Sequence, residues 1–390
     1  MNSFISLGIA IILGIILGQV TNHFKIPAVA GYIITGLIIG ISGFKIVNAQ
    51  MIEELSFISD FALGIIAFNI GSELEVSVIK KLGKPIFIIA TFEALGAFFL
   101  VTFIMLLLTK DLPTSLILGA VASATAPAAT IMVLKECNAK GPLTSTLLGV
   151  VAVDDAICLM IYSIASSIAK VFLKHEPLTM YKVLFHPFAE IILSLFLGSF
   201  LGIVLVYLLA KSKKSGELLT FVIGIIIINI GISLRYNLSP LLSSMTIGVM
   251  VSNISSYSRK AFSNLESFSA PIIAAFFILA GSRLNISLLP QIGLIGTSYL
   301  LFRMLGKVMG ATLGGIISNA PTAVKKYIGF GLFSQVGVAV GLAIIVSREF
   351  QGTNLGSLVI TILLGTTIIT ELIGPISTKN AIIKAKEAKI

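Results

Sequence analysis

The sequence predicts an all-α polytopic membrane protein: 13 transmembrane helices, arranged as two inverted six-helix repeats joined by a linker helix, with two discontinuous crossing helices. Three observations lead there. The 390 residues are 56% hydrophobic and 11% charged, with a mean hydropathy of +1.06, which is more apolar surface than a soluble core can bury. Apolar stretches of about 20 residues, the length that spans a bilayer as a helix, recur along the whole chain. Two of those stretches are interrupted at corresponding places.

The stretches fall at roughly 3–20, 27–47, 55–71, 85–108, 113–134, 143–170, 186–210, 218–234, 238–254, 264–281, 287–317, 327–347 and 355–377. The first opens MNSFIS, without a basic run or a small-residue cleavage site, and is expected to remain as a helix rather than be removed as a leader. The loops are short, so no soluble domain, and no cofactor, is expected on this chain. The seventh stretch stands alone in the middle. Stretch 1 then answers to stretch 8, and an offset of seven spans turns the second half upside down relative to the first.

Stretches 5 and 12 correspond under that pairing. Stretch 5 reads LILGAVASATAPAATIMVL, in which Pro127 removes a backbone donor after four small residues. Stretch 12 reads IGFGLFSQVGVAVGLAIIV, with Gly331, Gly337 and Gly341 around the polar pair Ser334 and Gln335. Pro and Gly kink many membrane helices, but interruptions at matching places of two repeats point to a midplane binding site.

The net charge of +10 suits a membrane protein better than a nucleic-acid partner. With the N-terminus outside, 17 of the 27 basic residues fall in inside loops and 8 in outside loops, the asymmetry that orients membrane proteins. Only Arg303 and Lys307 remain, both inside a stretch. Cys137 and Cys158 read as free thiols, and the three histidines have no metal-ligand spacing.

Stretch 6 reads PLTSTLLGVVAVDDAICLMIYSIASSIAK, and places Asp154 and Asp155 near its middle. Each acid there costs about 2.5 to 3.5 kcal/mol to insert, so such residues are functional by default. Neighbouring helix positions point about 100° apart, so the pair has two jobs rather than one bidentate grip. Arg303 and Lys307 lie four apart on one face of stretch 11 and need anionic neighbours. Asp154 is the natural partner for Lys307, and Glu93 or Glu371 for Arg303; packing salt bridges or snorkelling are the alternatives. Asp60, Glu190 and Glu266, nearer stretch ends, read as solvated or interfacial. Thr125, Ser334 and Gln335, with the free carbonyls of the interrupted helices, can add neutral oxygens. Such a set suits Na⁺, Li⁺ or K⁺ and not a transition metal. Charge counting adds an expectation: a cation entering between ionised carboxylates takes the partner of Lys307, whose lost proton makes two protons per cation.

These residues resemble the monovalent cation:proton antiporter-2 family along essentially the whole chain. IPAVAGYIITGLIIG resembles its early Pro-x-x-x-Gly-Tyr helix, FALGIIAFNIGSELE its Gly-x-Glu segment end, with Gly71-Ser72-Glu73 for Gly-Leu-Glu, and ATAPAAT its first broken helix. VVAVDDAICL is similar to the paired-Asp site of NapA-type sodium/proton antiporters, and Lys307 to the lysine that pairs with the first Asp. The resemblance implies electrogenic exchange of Na⁺ or Li⁺ for protons by a homodimer. It also implies dimer-domain helices 1–3 over 1–84 and 8–10 over 212–284, core helices 4–6 over 85–170 and 11–13 over 285–378, a linker helix over 171–211 and a cytosolic tail over 379–390. About 13 residues follow the last stretch, so the nucleotide-binding tail of potassium-efflux members is not expected.

Other functions fit less well. K⁺/proton exchange differs only in ion size, which side-chain identities do not set. A sodium-coupled organic-solute symporter needs a polar solute cavity, and a channel needs a continuous polar path or a repeated filter. An enzyme lacks any Ser/His or metal-ligand set in the stretches.

Overall fold

A computed structural model describes residues 3–23, 28–173, 186–211, 215–284, 293–350 and 353–388. Helices are the regular structure among those residues, with no β-strand. The helices are α1 (Ser3–His23), α2 (Ala28–Ile39), α3 (Ala49–Glu54), α4 (Ser56–Glu73), α5 (Val76–Thr109), α6 (Leu112–Ala122), α7 (Pro127–Glu136) and α8 (Pro142–Leu173). They continue with α9 (His186–Lys211), α10 (Ser215–Arg235), α11 (Pro240–Ile254), α12 (Ser258–Ser282), α13 (Gly293–Ile317), α14 (Thr322–Tyr327), α15 (Gly337–Glu349) and α16 (Asn354–Lys384). Among the described residues, 8 helices are long and apolar enough to cross a membrane, and α2, α4, α6 and α11 are shorter apolar helices. Lys25, Lys174, Lys182, Lys213, Lys214 and Lys389 of the charge count lie outside the described residues, as does the start of stretch 11.

Several boundaries differ from the hydropathy reading, each for a local reason. Stretch 2 does not run to 47: α2 stops at Ile39, and the chain turns back so that Phe44 N–H donates to Ile38 O at 2.7 Å and Val47 N–H to Ile39 O at 2.9 Å. The loop before stretch 4 is itself helical. It forms the first part of α5 and meets the rest at a kink at Gly83, whose φ of 76° is open to glycine at little cost. Beyond 378, α16 continues to Lys384, and the following turn returns Glu387 to the start of α8. There its carboxylate accepts from the N–H groups of Leu143 and Thr144, both at 2.8 Å, which otherwise lack helical partners.

Both interrupted stretches are broken helices. Stretch 5 is α6, a non-helical segment over 123–126, and α7; stretch 12 is the end of α14 with a 3-10 turn (Ile328–Gly331), a non-helical segment over 332–336, and α15. The two non-helical segments meet, with Ala126 N–H donating to Ser334 O at 2.9 Å. Missing intrahelical bonds are thus partly replaced across the crossing.

Small residues decide how closely the surrounding helices approach. On α13, Gly306, Gly310 and Gly314 recur every four residues and lie against α5; a Cβ at Gly310 would stand 2.2 Å from Phe92 O and one at Gly306 2.7 Å from Gly96 O. This small-xxx-small packing is the membrane route to backbone contact, and it brings Lys307 of α13 beside Glu93 of α5. Gly310→Val is therefore expected to push the two helices apart, at about 1–3 kcal/mol or more. A lower thermal midpoint together with lost transport is the expected readout, and a fully stable, active variant would show that the contact is dispensable.

Candidate functional site

Three helices, α5, α8 and α13, carry buried charges beside the crossing. Asp154 (0% exposed) and Asp155 (6%) lie in the middle of α8; Glu93, Arg303 and Lys307 are each 0% exposed. Lys307 Nζ is 2.7 Å from Glu93 Oε2 and 3.4 Å from Asp154 Oδ2. It donates to Thr125 Oγ1 at 2.7 Å and also to the Ser123 carbonyl. The contact with Glu93 is an ion pair without a well-directed hydrogen bond, since neither Glu93 oxygen meets hydrogen-bond geometry. Lys307 thus joins two acids from different helices to the first break.

The expected pairing of the cations changes accordingly. Glu93 serves Lys307, not Arg303, and is nearer to it than Asp154 is. Arg303 grips backbone instead: its guanidinium donates to Ala122 O at 3.1 Å, Ala124 O and Phe333 O at 2.7 Å, and Ser334 O at 3.4 Å. These carbonyls end α6 and the turn after α14, so one cation offsets the negative ends of two broken helices. Glu371 is buried on α16 against the backbone amide of Gln335, near the start of α15.

The neutral oxygens expected at the site are partly committed. The carbonyls of Val121, Ala122, Ser123 and Ala124 receive Gln335, Arg303, Lys307 and Arg303 in turn, with Gln335 Nε2 2.8 Å from Val121 O. Side chains thus fill the orphan acceptors at the end of α6. Gln335 also exchanges hydrogen bonds with the Tyr299 hydroxyl, at 2.9 and 3.3 Å. Ser334 Oγ is buried with no hydrogen-bond partner, close to where a Cβ on Gly374 would lie. Sequence reasoning missed Tyr299 and the partner of Glu93. Their signals were a tyrosine four residues before Arg303 and a lone acid in the middle of stretch 4.

A second polar cluster sits at the far end of α8 around a cavity of about 600 Å³. Asp60 of α4 pairs with Arg348 of α15, which also donates to Ser56 O at 2.8 Å. Glu349 accepts from Tyr162 at 3.1 Å and Ser166 at 2.5 Å and lies 3.3 Å from Lys170. Glu190 accepts from Ser167 at 3.2 Å. Arg283, capping α12 nearby, is held down to about 10 by burial and then by the like charge of Arg348. Asp60 and Glu190 are therefore partnered rather than merely solvated. Cys137 and Cys158 are free and buried.

Two broken helices crossing beside buried acids and bases, in an all-helical membrane chain, define a secondary transporter. The chain belongs to the sodium/hydrogen exchanger family, whose transmembrane region it matches over residues 8–383; the match supports the antiporter identity that the sequence resemblance implied, but not the antiporter-2 subdivision named there. It is 25% identical to a Na⁺/H⁺ antiporter of Enterococcus hirae, over 90% of this chain and 91% of that one. It is 24% identical to the ammonium/H⁺ antiporter subunit AmhT of Alkalihalophilus pseudofirmus, over 89% and 84%. The fold is similar to the sodium proton antiporter MjNhaP1 of Methanocaldococcus jannaschii at pH 8, with a TM-score of 0.76, 18% identity and 98% of both chains covered.

Proposed function

We propose that the chain exchanges Na⁺ or Li⁺ for protons across the cytoplasmic membrane by alternating access, with Asp155 and Asp154 as the cation and proton ligands. The observation that carries this is the dry cluster of Glu93, Asp154 and Lys307 beside the crossing, with Asp155 buried next to Asp154 on α8. Three acids and one lysine packed away from water cannot all keep their charges without a neutralising proton or cation. Competition between the two for one set of carboxylates is exchange. In this reading the protein is a homodimer of 13 spans with the N-terminus outside and the C-terminus in the cytosol, and the core helices move against the dimer-domain helices. Proteoliposomes holding a pH dye test it, challenged in turn with Na⁺, Li⁺, K⁺ and NH₄⁺. Proton flux driven by Na⁺ or Li⁺ is expected. Flux driven only by K⁺ or NH₄⁺ would favour the second reading, another monovalent cation at the same site, which the ammonium relative supports. Flux with none of them would remove the proposal.

Glu93 bears on the expected electrogenic stoichiometry. That expectation needs Lys307 to lose its partner when a cation enters, but Glu93 at 2.7 Å remains beside it. Counting Lys307, Glu93, Asp154 and Asp155, the set is neutral with two protons on the carboxylates and stays neutral when one cation replaces one of those protons. Electrogenic exchange therefore requires a second proton to leave for each cation, either from the other carboxylate or from Lys307 itself despite Glu93. Imposed membrane potential reads this directly. If Lys307 carries a proton, wild-type flux follows voltage and Lys307→Gln, where it transports, does not; a wild type indifferent to voltage makes Lys307 a fixed counter-ion.

A further inference from the structure

Away from the ion site, α14, the 3-10 turn and segment that follow it, and α16 line an open groove of about 720 Å³. Its two walls carry the same polarity gradient. Along α16 the lining residues Ile373, Ile376, Ser377, Asn380 and Lys384 share one face and pass from aliphatic to amide to ammonium over about 16 Å. Along the other wall Phe330 and Phe333 occupy the apolar end, their rings 5.9 Å apart, and Lys326 the basic end, its Nζ 5.6 Å from the Tyr327 ring. Both lysines, Asn380, Phe330 and Ile376 are exposed. Two separate elements thus set cations at one end of the groove and apolar surface at the other. In a chain that spans a membrane, the apolar end is at acyl-chain depth and the basic end at headgroup level.

From this matched gradient we infer that the groove binds an anionic phospholipid, its phosphate between Lys326 and Lys384 and an acyl chain along Phe330, Phe333 and Ile376. Charge complementarity selects the anionic headgroup, since basic pockets between membrane helices hold such lipids. The occupant would brace the second broken helix. Ser377 Oγ donates to Phe330 O at 2.7 Å, tying α16 to the 3-10 turn, and three residues on the Phe333 carbonyl holds Arg303 at 2.7 Å. A lipid filling this groove therefore supports the backbone from which the ion site is built.

The test uses purified full-length protein. Native mass spectrometry after phosphatidylglycerol addition should show one retained lipid on wild type. Lys326→Gln/Lys384→Gln should weaken that retention about 30-fold, from the usual contribution of two surface lysines, whereas Lys211→Gln/Lys260→Gln should not. Ile376→Trp, which fills the apolar end and keeps both lysines, should also lose the lipid. Phosphatidylglycerol vesicles should raise the wild-type thermal midpoint above that in phosphatidylcholine vesicles, and the groove variants should lose the rise while matching wild type in phosphatidylcholine. Equal loss in the control pair would make the effect general surface charge and overturn the proposal. Inorganic phosphate reproducing the rise, or Ile376→Trp retaining the lipid, would overturn it as well.

Discussion

Asp155→Asn is expected to abolish cation-driven proton flux while leaving the protein folded. The substitution keeps the side-chain volume and removes the charge, and the site is nearly dry, with Asp155 6% exposed. Loss of one partner from a buried charge pair is worth about 3–5 kcal/mol, which corresponds to at least about a hundredfold in cation affinity. Asp154→Asn should cost less, because Lys307 keeps Glu93 at 2.7 Å when Asp154 loses its charge. Initial rates in proteoliposomes, with the thermal midpoint as a folding control, give both values. Retained flux in Asp155→Asn, or a larger loss in Asp154→Asn, would reverse the roles assigned to the two acids.

Arg303→Met is expected to have the largest effect on stability. Arg303 donates to four carbonyls on two broken helices, and methionine would leave three of those buried acceptors, Ala122 O, Ala124 O and Phe333 O, without that donor, while Ser334 O keeps Ala126 N–H. Each acceptor left unsatisfied costs about 1–3 kcal/mol, so two of them suffice to unfold a marginal protein. Arg303→Lys keeps the charge but not the planar fork. It should recover part of the stability and little of the transport, because an ammonium cannot hold both helix ends in register. A thermal midpoint unchanged in Arg303→Met would mean that the crossing is held by its own backbone contact between Ala126 and Ser334.

The sequence alone determined the membrane class, the places of the two breaks, and which charged residues have no polar surroundings of their own. Those properties are local. Hydropathy over about 20 residues, a proline after small residues, and an acid inside an apolar run each carry their meaning without reference to the rest of the chain. Tertiary structure decided the partners. Arg303 and Lys307 share a helix face, and that face predicts two acidic neighbours; the close α5–α13 approach through Gly96, Gly306 and Gly310 instead gives Glu93 to Lys307 and leaves Arg303 to the helix ends. No spacing in the sequence reveals that carbonyls will take a guanidinium in place of a carboxylate. The choice depends on where two broken helices cross, and backbone partial charges carry no residue code. The return of Glu387 to the start of α8 is equally non-local, since any acid can cap an amide and only the fold brings this one within 2.8 Å.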